Sequence, residues 1–327
     1  MCDMNTATEQ LTGTAVSVTG LRKSYGGQVV LDNIDLRIGE GEVFALLGPN
    51  GAGKTTTVRI LSTLIPADAG AASVMGHDLR GEAAAVRGLI GVTGQFSAVD
   101  DMLTGEENLL LMGRLLHLAA AKRRVRAAWL LERFELADAA RRLPATYSGG
   151  MRRRLDLAMT LMGEPRLIFL DEPTTGLDPR SRHAMWQIVG DLVADGVTVL
   201  LTTQYLEEAD RLADRIGVLD HGRIVAEGTP AELKRRISGA HIRLRLADAA
   251  SLEAAALALQ EGTPDGEELV LRVPYEGGVA ALREVLARLG DAVSVDDLSI
   301  HTPDLDDVFF ALTGDPASGN QPKEQAK

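Results

Sequence analysis

The sequence has a single cysteine, Cys2. No intramolecular disulfide can form and no metal cluster can be built on cysteines, so an oxidised, stapled fold is excluded and a reducing cytosol is favoured. Long apolar runs are missing too: none approaches the ~18 residues a membrane-spanning helix needs. The best candidate, residues 108–121, is interrupted by Arg114 and His117. The N-terminal MCDMNTATEQLTG is polar and acidic and does not read as a secretory signal. An excess of positive charge is also lacking. With 34 Lys+Arg against 46 Asp+Glu the net charge is −12, which argues against a protein whose main task is to wrap nucleic acid. No internal repeat is visible.

What is present is a 327-residue chain, 45% hydrophobic and 24% charged, the balance of a globular protein. That length exceeds what one core usually holds, so one large and one small domain are expected. The acidity is uneven. Residues 241–327 carry 7 Lys+Arg against 16 Asp+Glu, whereas the first 240 carry 27 against 30. The break near residue 240 marks a domain boundary. We expect a disordered N-terminus over 1–13, a large domain over 14–238, a small α/β domain over 239–314 and a disordered tail over 315–327.

Residues 14–47 read as short β-rich segments with Gly26-Gly27 and Gly39-Glu40-Gly41 as turns. Residues 43–47, Val-Phe-Ala-Leu-Leu, form the apolar run of a fully buried strand. Residues 104–162 read as an all-helical insertion, after which strands at 167–170, 197–202 and 216–219 alternate with helices and imply a mostly parallel sheet. Beyond residue 240, strands at 241–246, 268–273 and 292–300 alternate with helices at 251–260 and 279–289. A last helix has Thr302 as cap, Pro303 in its first turn and Gly314 past its end. Its residues Leu305, Val308, Phe309 and Leu312 share one face.

Gly48-Pro49-Asn50-Gly51-Ala52-Gly53-Lys54-Thr55 fits the phosphate-loop pattern at every specified position, between a buried strand and a helix. Its glycines let backbone N–H groups turn inward on phosphates, and the helix N-terminus favours the anion. Lys54 would reach the β- and γ-phosphates and the Thr55 hydroxyl would ligate Mg²⁺; Thr56 completes the loop's contacts. An apolar strand, residues 167–170, ends in Asp171-Glu172. Adjacent acids at a buried strand end need a reason. In a phosphate-loop enzyme the first binds Mg²⁺ and the second is placed as general base for an attacking water. Ser148-Gly149-Gly150, 23 residues before Asp171, opens a helix and offers a second anion site. The basic runs Lys122-Arg123-Arg124 and Arg152-Arg153-Arg154 read by default as solvated or partner-facing helix surface, and His77 as a loop residue.

This set resembles the ATP-binding subunit of an ATP-binding cassette (ABC) transporter over about residues 14–235. Residues 48–55 match its Walker A motif, 167–172 its Walker B motif with the catalytic glutamate, and Ser148-Gly149-Gly150 its signature. Tyr25 stands where the family stacks an aromatic ring on adenine, and Gln95 where a glutamine joins Mg²⁺ to the transmembrane contact. Gly176-Leu177-Asp178 matches the loop that crosses between subunits. Three positions depart: Tyr147 replaces leucine and Met151 replaces glutamine in the signature, and Gln204 stands where the family has a switch histidine. A glutamine amide still donates to a γ-phosphate oxygen but does not change charge near neutral pH. Residues 147–155, 202–210 and 304–309 are similar to the narrower group of daunorubicin/doxorubicin-resistance-type exporters.

The resemblance implies an α/β fold: a P-loop NTPase, ABC-type nucleotide-binding domain with a parallel sheet core, an antiparallel β subdomain and a helical subdomain, followed by the small C-terminal domain. It implies ATP and Mg²⁺ as ligands, a homodimer that sandwiches ATP between Lys54 of one subunit and Ser148 of the other, and hydrolysis through Glu172. It further implies a separate transmembrane permease, a peripheral place on the cytoplasmic face of the membrane, outward traffic of a drug or natural product, and no nucleic-acid partner. The alternative is a soluble ABC-type ATPase acting on ribosomes or DNA, which usually shows two cassettes with a basic linker or long coiled coils. A non-catalytic regulatory cassette would be expected to lose Glu172 or Lys54.

Overall fold

The computed structural model describes residues 13–94, 98–236, 240–275, 278–290, 293–301 and 303–313. The expectations for residues 1–12 and 314–327, for Gln95 and for the Thr302 cap lie outside the described residues. The chain divides into two compact units, Met1–Pro230 and Ala231–Lys327.

Two long strands, β1 (Thr14–Tyr25) and β2 (Gln28–Gly39), open the first unit. Tyr25 pairs with Gln28 across Gly26-Gly27, whose φ values of 55° and 88° only glycine adopts without cost. The chain continues through β3 (Val43–Leu47), α1 (Lys54–Leu61), β4 (Ala69–Val74), β5 (His77–Asp78), α2 (Ala83–Leu89) and β6 (Ile90–Thr93). The expected helical insertion follows as α3 (Gly105–Leu115), α4 (Ala120–Arg133) and α5 (Gly149–Thr160). A reciprocal cap between Thr104 and Glu107 starts α3. Then come β7 (Leu167–Asp171), α6 (Pro179–Ala194), β8 (Thr198–Thr203), α7 (Leu206–Leu212), β9 (Arg215–Asp220) and β10 (Arg223–Gly228).

Strands in the order β2-β1-β4-β5 make an antiparallel sheet. The order β10-β9-β3-β8-β7-β6 makes a second sheet, parallel except for β10 at its edge. Every residue of β3, β7 and β8 is buried, which is why β3 and residues 167–170 of β7 read as unbroken apolar runs and not as alternations, and β8 carries Val-Leu-Leu between threonines. Leu31, Ile34, Leu36 and Ile38 of β2, Phe44 and Leu46 of β3, and Val58, Ile60 and Leu61 of α1 share one core. That core brings the loop after β3 to the carboxyl ends of β7 and β8, the end of a parallel sheet where ligands bind.

The second unit has its own sheet. Helix α8 (Pro230–Arg235) begins at the break between the units. It is followed by β11 (His241–Leu246), α9 (Ala249–Leu259), β12 (Thr263–Asp265), β13 (Val270–Pro274), α10 (Val279–Leu289), β14 (Val295–His301) and α11 (Leu305–Thr313). The sheet order is β12-β13-β11-β14, antiparallel throughout. Ile242, Leu244 and Leu246 alternate into a core completed by Leu252, Leu259, Leu271 and Leu289.

Strands β4, β5, β6, β10 and β12 were not expected from sequence. β5 and β12 span only two and three residues, β4 is built mostly of alanine, glycine and serine, and β6 and β10 are sheet edges, where little apolar patterning is required. In α11 the expected stripe divides. Leu305 and Val308 are buried, but Phe309 is half-buried and Leu312 is exposed near the helix end.

Candidate active site

The loop after β3 is held at both flanks. The Gly48 N–H donates to the Thr203 carbonyl (3.2 Å), and the Gly222 N–H donates to the Ala52 carbonyl (3.1 Å). A Cβ at Gly48 would lie 2.2 Å from the Leu219 carbonyl oxygen. At Gly53, with φ 113°, it would meet Leu31 at 2.6 Å. The glycines at these two positions are therefore set by close approach as well as by phosphate access. Gly53 caps α1, so the free N–H groups of that helix point into the loop.

Lys54 is buried, and its ammonium donates to the carbonyls of Gly48 (2.8 Å) and Pro49 (3.0 Å), 3.7 Å from Glu172 Oε1. Burial pushes the Lys54 ammonium below its usual range; the carboxylates of Glu172 and Asp171 oppose that shift. Thr55 Oγ1 donates to Asp171 Oδ1 at 3.2 Å, joining the phosphate loop to the end of β7. Around this cluster lies a cleft of about 440 Å³ lined by Tyr25, Val30, Asn50, Gly51, Gly53, Lys54, Thr55, Thr56 and Glu172. That volume is within the range of small-molecule sites. Tyr25 is half exposed at this cleft.

Thr202 of β8 organises the two acids. Its hydroxyl donates to Asp171 Oδ1 at 2.5 Å, while the Glu172 N–H donates to the Thr202 hydroxyl (3.2 Å) and carbonyl (3.1 Å). These bonds hold Glu172 at φ 49°, a left-handed conformation costing a non-glycine residue about 1–2 kcal/mol. Sequence reading missed Thr202, whose signal is a hydroxyl-bearing pair, Thr202-Thr203, ending a buried strand. It also missed Glu208. This fully buried carboxyl accepts from the Trp186 indole N–H at 3.2 Å. Burial raises its pKa, against the lowering effects of the Thr203 and Thr174 hydroxyls, Trp186 and Arg182.

Ser148, Gly149, Gly150, Asp178 and Gln204 are not among the residues that line the cleft. Ser148 caps α5 by accepting from the Met151 N–H (3.2 Å), and Ser148 and Gly149 are exposed. Gly150 is buried, and a Cβ there would lie 2.4 Å from Ser181 Oγ, so only glycine lets the helix approach this residue so closely. Ser181 donates both its N–H (2.9 Å) and its hydroxyl (2.7 Å) to Asp178, whose carboxyl is held below its usual range by those bonds. Thus Ser148-Gly149-Gly150 and the 176–178 loop form one surface, distinct from the cleft that Lys54 lines. Gln204 follows β8 directly and is half-buried. Tyr147, which departs from the family's leucine, donates its hydroxyl to the Ala139 carbonyl at 2.6 Å and packs against Gly105. It braces the helical insertion.

The Arg152-Arg153-Arg154 run is corrected by the structure. Arg152 pairs with Asp101 (2.5 Å) and Arg154 with Glu135 (2.7 Å), and Arg153, largely but not fully buried, donates to main-chain carbonyls. In the Lys122-Arg123-Arg124 run, Lys122, paired with Glu164, and Arg124 are exposed and fit the solvated expectation, while Arg123 is half-buried. His77 lies in β5, paired with Glu82 at 3.0 Å.

The ABC transporter family profile matches residues 31–175. The daunorubicin resistance ATP-binding protein DrrA3 of Streptomyces coeruleorubidus is 53% identical over 92% of this chain and 96% of its own length. The doxorubicin resistance ATP-binding protein DrrA of Mycobacterium tuberculosis is 49% identical over 92% and 94%. Among solved structures, an ATP-binding subunit of an ABC transporter superposes with a TM-score of 0.62 at 32% identity, covering 68% of this chain and 93% of that one. A dimeric ATP-binding cassette in a post-hydrolysis state bound to ADP and Pi gives 0.59 at 28%, covering 65% and 98%. These similarities do not favour a ribosome- or DNA-directed ATPase. No described helix is long and apolar enough to cross a membrane. The chain belongs to the ABC transporter family, as an ATP-binding and ATP-hydrolysing subunit.

Proposed function

We propose that this subunit drives efflux of an amphipathic drug or natural product, of the daunorubicin and doxorubicin kind named for its relatives, through a separate transmembrane permease. Two copies would close on ATP, each offering Lys54 and the 48–56 loop to its own nucleotide and Ser148-Gly149-Gly150 to its partner's. The observation that carries this reading is the cluster of Lys54, Thr55, Asp171 and Glu172 around one cleft, with both acids held by Thr202. Glu172 would take the proton of the attacking water. Gln204 would donate its amide to a γ-phosphate oxygen, and Asp178 would hold the subunit-crossing loop. Tyr25, at the cleft's mouth, would stack on the adenine.

The hydroxyl of Thr55 and the carboxylate of Asp171, 3.2 Å apart, are hard oxygen donors suited to Mg²⁺. Gln95, which lies outside the described residues, would join them. Bound there, Mg²⁺ would neutralise charge developing on the phosphates. Where β6 meets the helical insertion, a groove of about 190 Å³ is lined by residues that include Ile90, Val92, Ala98, Met112 and Leu116. It supports docking of the permease on this face, which would hold the subunit peripherally at the cytoplasmic side of the membrane.

Glu172→Gln tests the reading. The variant should bind ATP and self-associate, yet lose about 10²–10⁴ in hydrolysis. Turnover near that of the wild type would remove Glu172 from the catalytic role.

A further inference from the structure

Arg153 sits five residues into the helix that Ser148 caps, and its side chain is 11% exposed. Its Nε donates to the Pro173 carbonyl (3.0 Å) and Nη2 to the Asp171 carbonyl (3.3 Å). Nη1 donates to the Gly94 carbonyl (2.9 Å) and to Asp156 Oδ2 (3.2 Å). The other Asp156 oxygen accepts from the Ala98 N–H at 2.9 Å. One guanidinium therefore ties α5 to the main chain that carries both acids and to the end of β6. Its neighbours do not do this: Arg154 bonds Phe134 and Glu135, and Arg152 bonds Val99 and Asp101.

Burial works against the charge of Arg153, and the carboxylates of Asp156, Asp171 and Glu208 oppose that effect. A buried ion pair is weak evidence for stability, since well-packed apolar residues often do as well. The planar fork meets three carbonyls from two segments, a geometry a lysine cannot copy.

We propose that Arg153 is a positioning residue that links the two nucleotide half-sites carried by one chain. This rests on the sandwich-dimer reading above. In that dimer Ser148 serves the partner's ATP while Asp171 and Glu172 serve the chain's own. Displacement of α5 as one site closes is carried by Arg153 to the carbonyls on either side of Glu172 in the other site. Coupling of this kind is reciprocal, so each nucleotide senses the other.

The test uses the full-length chain with Arg153→Lys, which retains charge beside Asp156 and loses the fork. Binding of a fluorescent ATP analogue to the isolated subunit should stay within about twofold of wild type. Turnover should fall roughly tenfold, and the sigmoidal dependence of rate on ATP should flatten towards the hyperbolic. Arg154→Lys, a neighbour that bonds only within the helical insertion, should keep the sigmoid even if its melting temperature drops. If Arg153→Lys melts, the neutral double variant Arg153→Gln/Asp156→Asn is read by the same three measurements. Wild-type rate and sigmoidicity in the variant overturn the inference alone. So does a loss of binding that parallels the loss of rate, which marks Arg153 as merely structural. A wild type that neither dimerises with ATP nor responds sigmoidally overturns the dimer reading and this inference together.

Discussion

The two units treat polar groups in opposite ways. Among the described residues, every buried polar or charged side chain belongs to the first unit, including Lys54, Asn108, Asp156, Asp171, Thr202 and Glu208. The core of the second is aliphatic, and its charges, such as Arg243 with Glu268 and Arg272 with Asp265, lie at its surface. Burying ions costs several kcal/mol each unless partners compensate. The first unit accepts that cost where it handles phosphate; the second, with no such task in its interior, fills that interior with apolar side chains. Damage should therefore read out differently: as lost chemistry in one unit, as lost folding in the other.

The largest stability effect is expected in the second unit. Leu244→Ala removes a fully buried side chain from the centre of its sheet and should destabilise that unit by about 2–5 kcal/mol. Calorimetry should show one transition moving and the nucleotide-sensitive transition unmoved; a shift of both would break the contrast. Thr202→Val in the first unit preserves shape but removes the hydroxyl shared by both acids. Losing charge-assisted bonds of this kind is worth about 1.5–3 kcal/mol, so melting should drop somewhat, while hydrolysis by the protein that remains folded should fall by roughly one to two orders of magnitude. Unaltered steady-state ATPase in this variant would show that the acids hold their geometry without Thr202.

A smaller effect concerns Glu208. Its pKa is raised in the folded chain, so the folded state binds more protons than the unfolded one as pH climbs above the usual carboxylate range. Its contribution is present at low pH and lost as pH rises through the raised value. Glu208→Gln cannot ionise, so relative to wild type it should gain stability in urea titrations as pH is taken towards neutral, with no such gain at low pH. A pH-independent difference would mean that the carboxyl has the same pKa folded and unfolded. Smallest of all, truncation after Arg236 should leave nucleotide affinity within about twofold while weakening self-association or transport. A folded, truncated chain unable to bind ATP would assign the second unit to the nucleotide site.

What is legible in the sequence is what is local. The 48–55 loop and the acids at 171 and 172 are each written within a few consecutive residues, and the buried strands announce themselves as apolar runs. Arg153 is not legible, because a run of three arginines on a helix looks the same whether a member faces water or the carbonyls of Gly94, Asp171 and Pro173. Thr202 and Glu208 escape for a related reason: their partners, Asp171 and Trp186, come from other elements. The edge strands β6 and β10 escape because an edge needs little pattern.

The bond from Thr55 to Asp171 joins residues 116 apart in the chain, and that from Thr202 to Asp171 spans another 31. Contacts so distant form only after the intervening chain has surrendered its loop entropy. During synthesis the phosphate-binding loop leaves the ribosome long before its acids exist, and the acids leave before the strand that orients them. A nascent chain that ends short of Thr202 can carry a helix N-terminus fit for an anion, but no assembled catalytic centre. The acids of one chain thus come into register only with the folding of β8 against β7, the last of the three segments to be made.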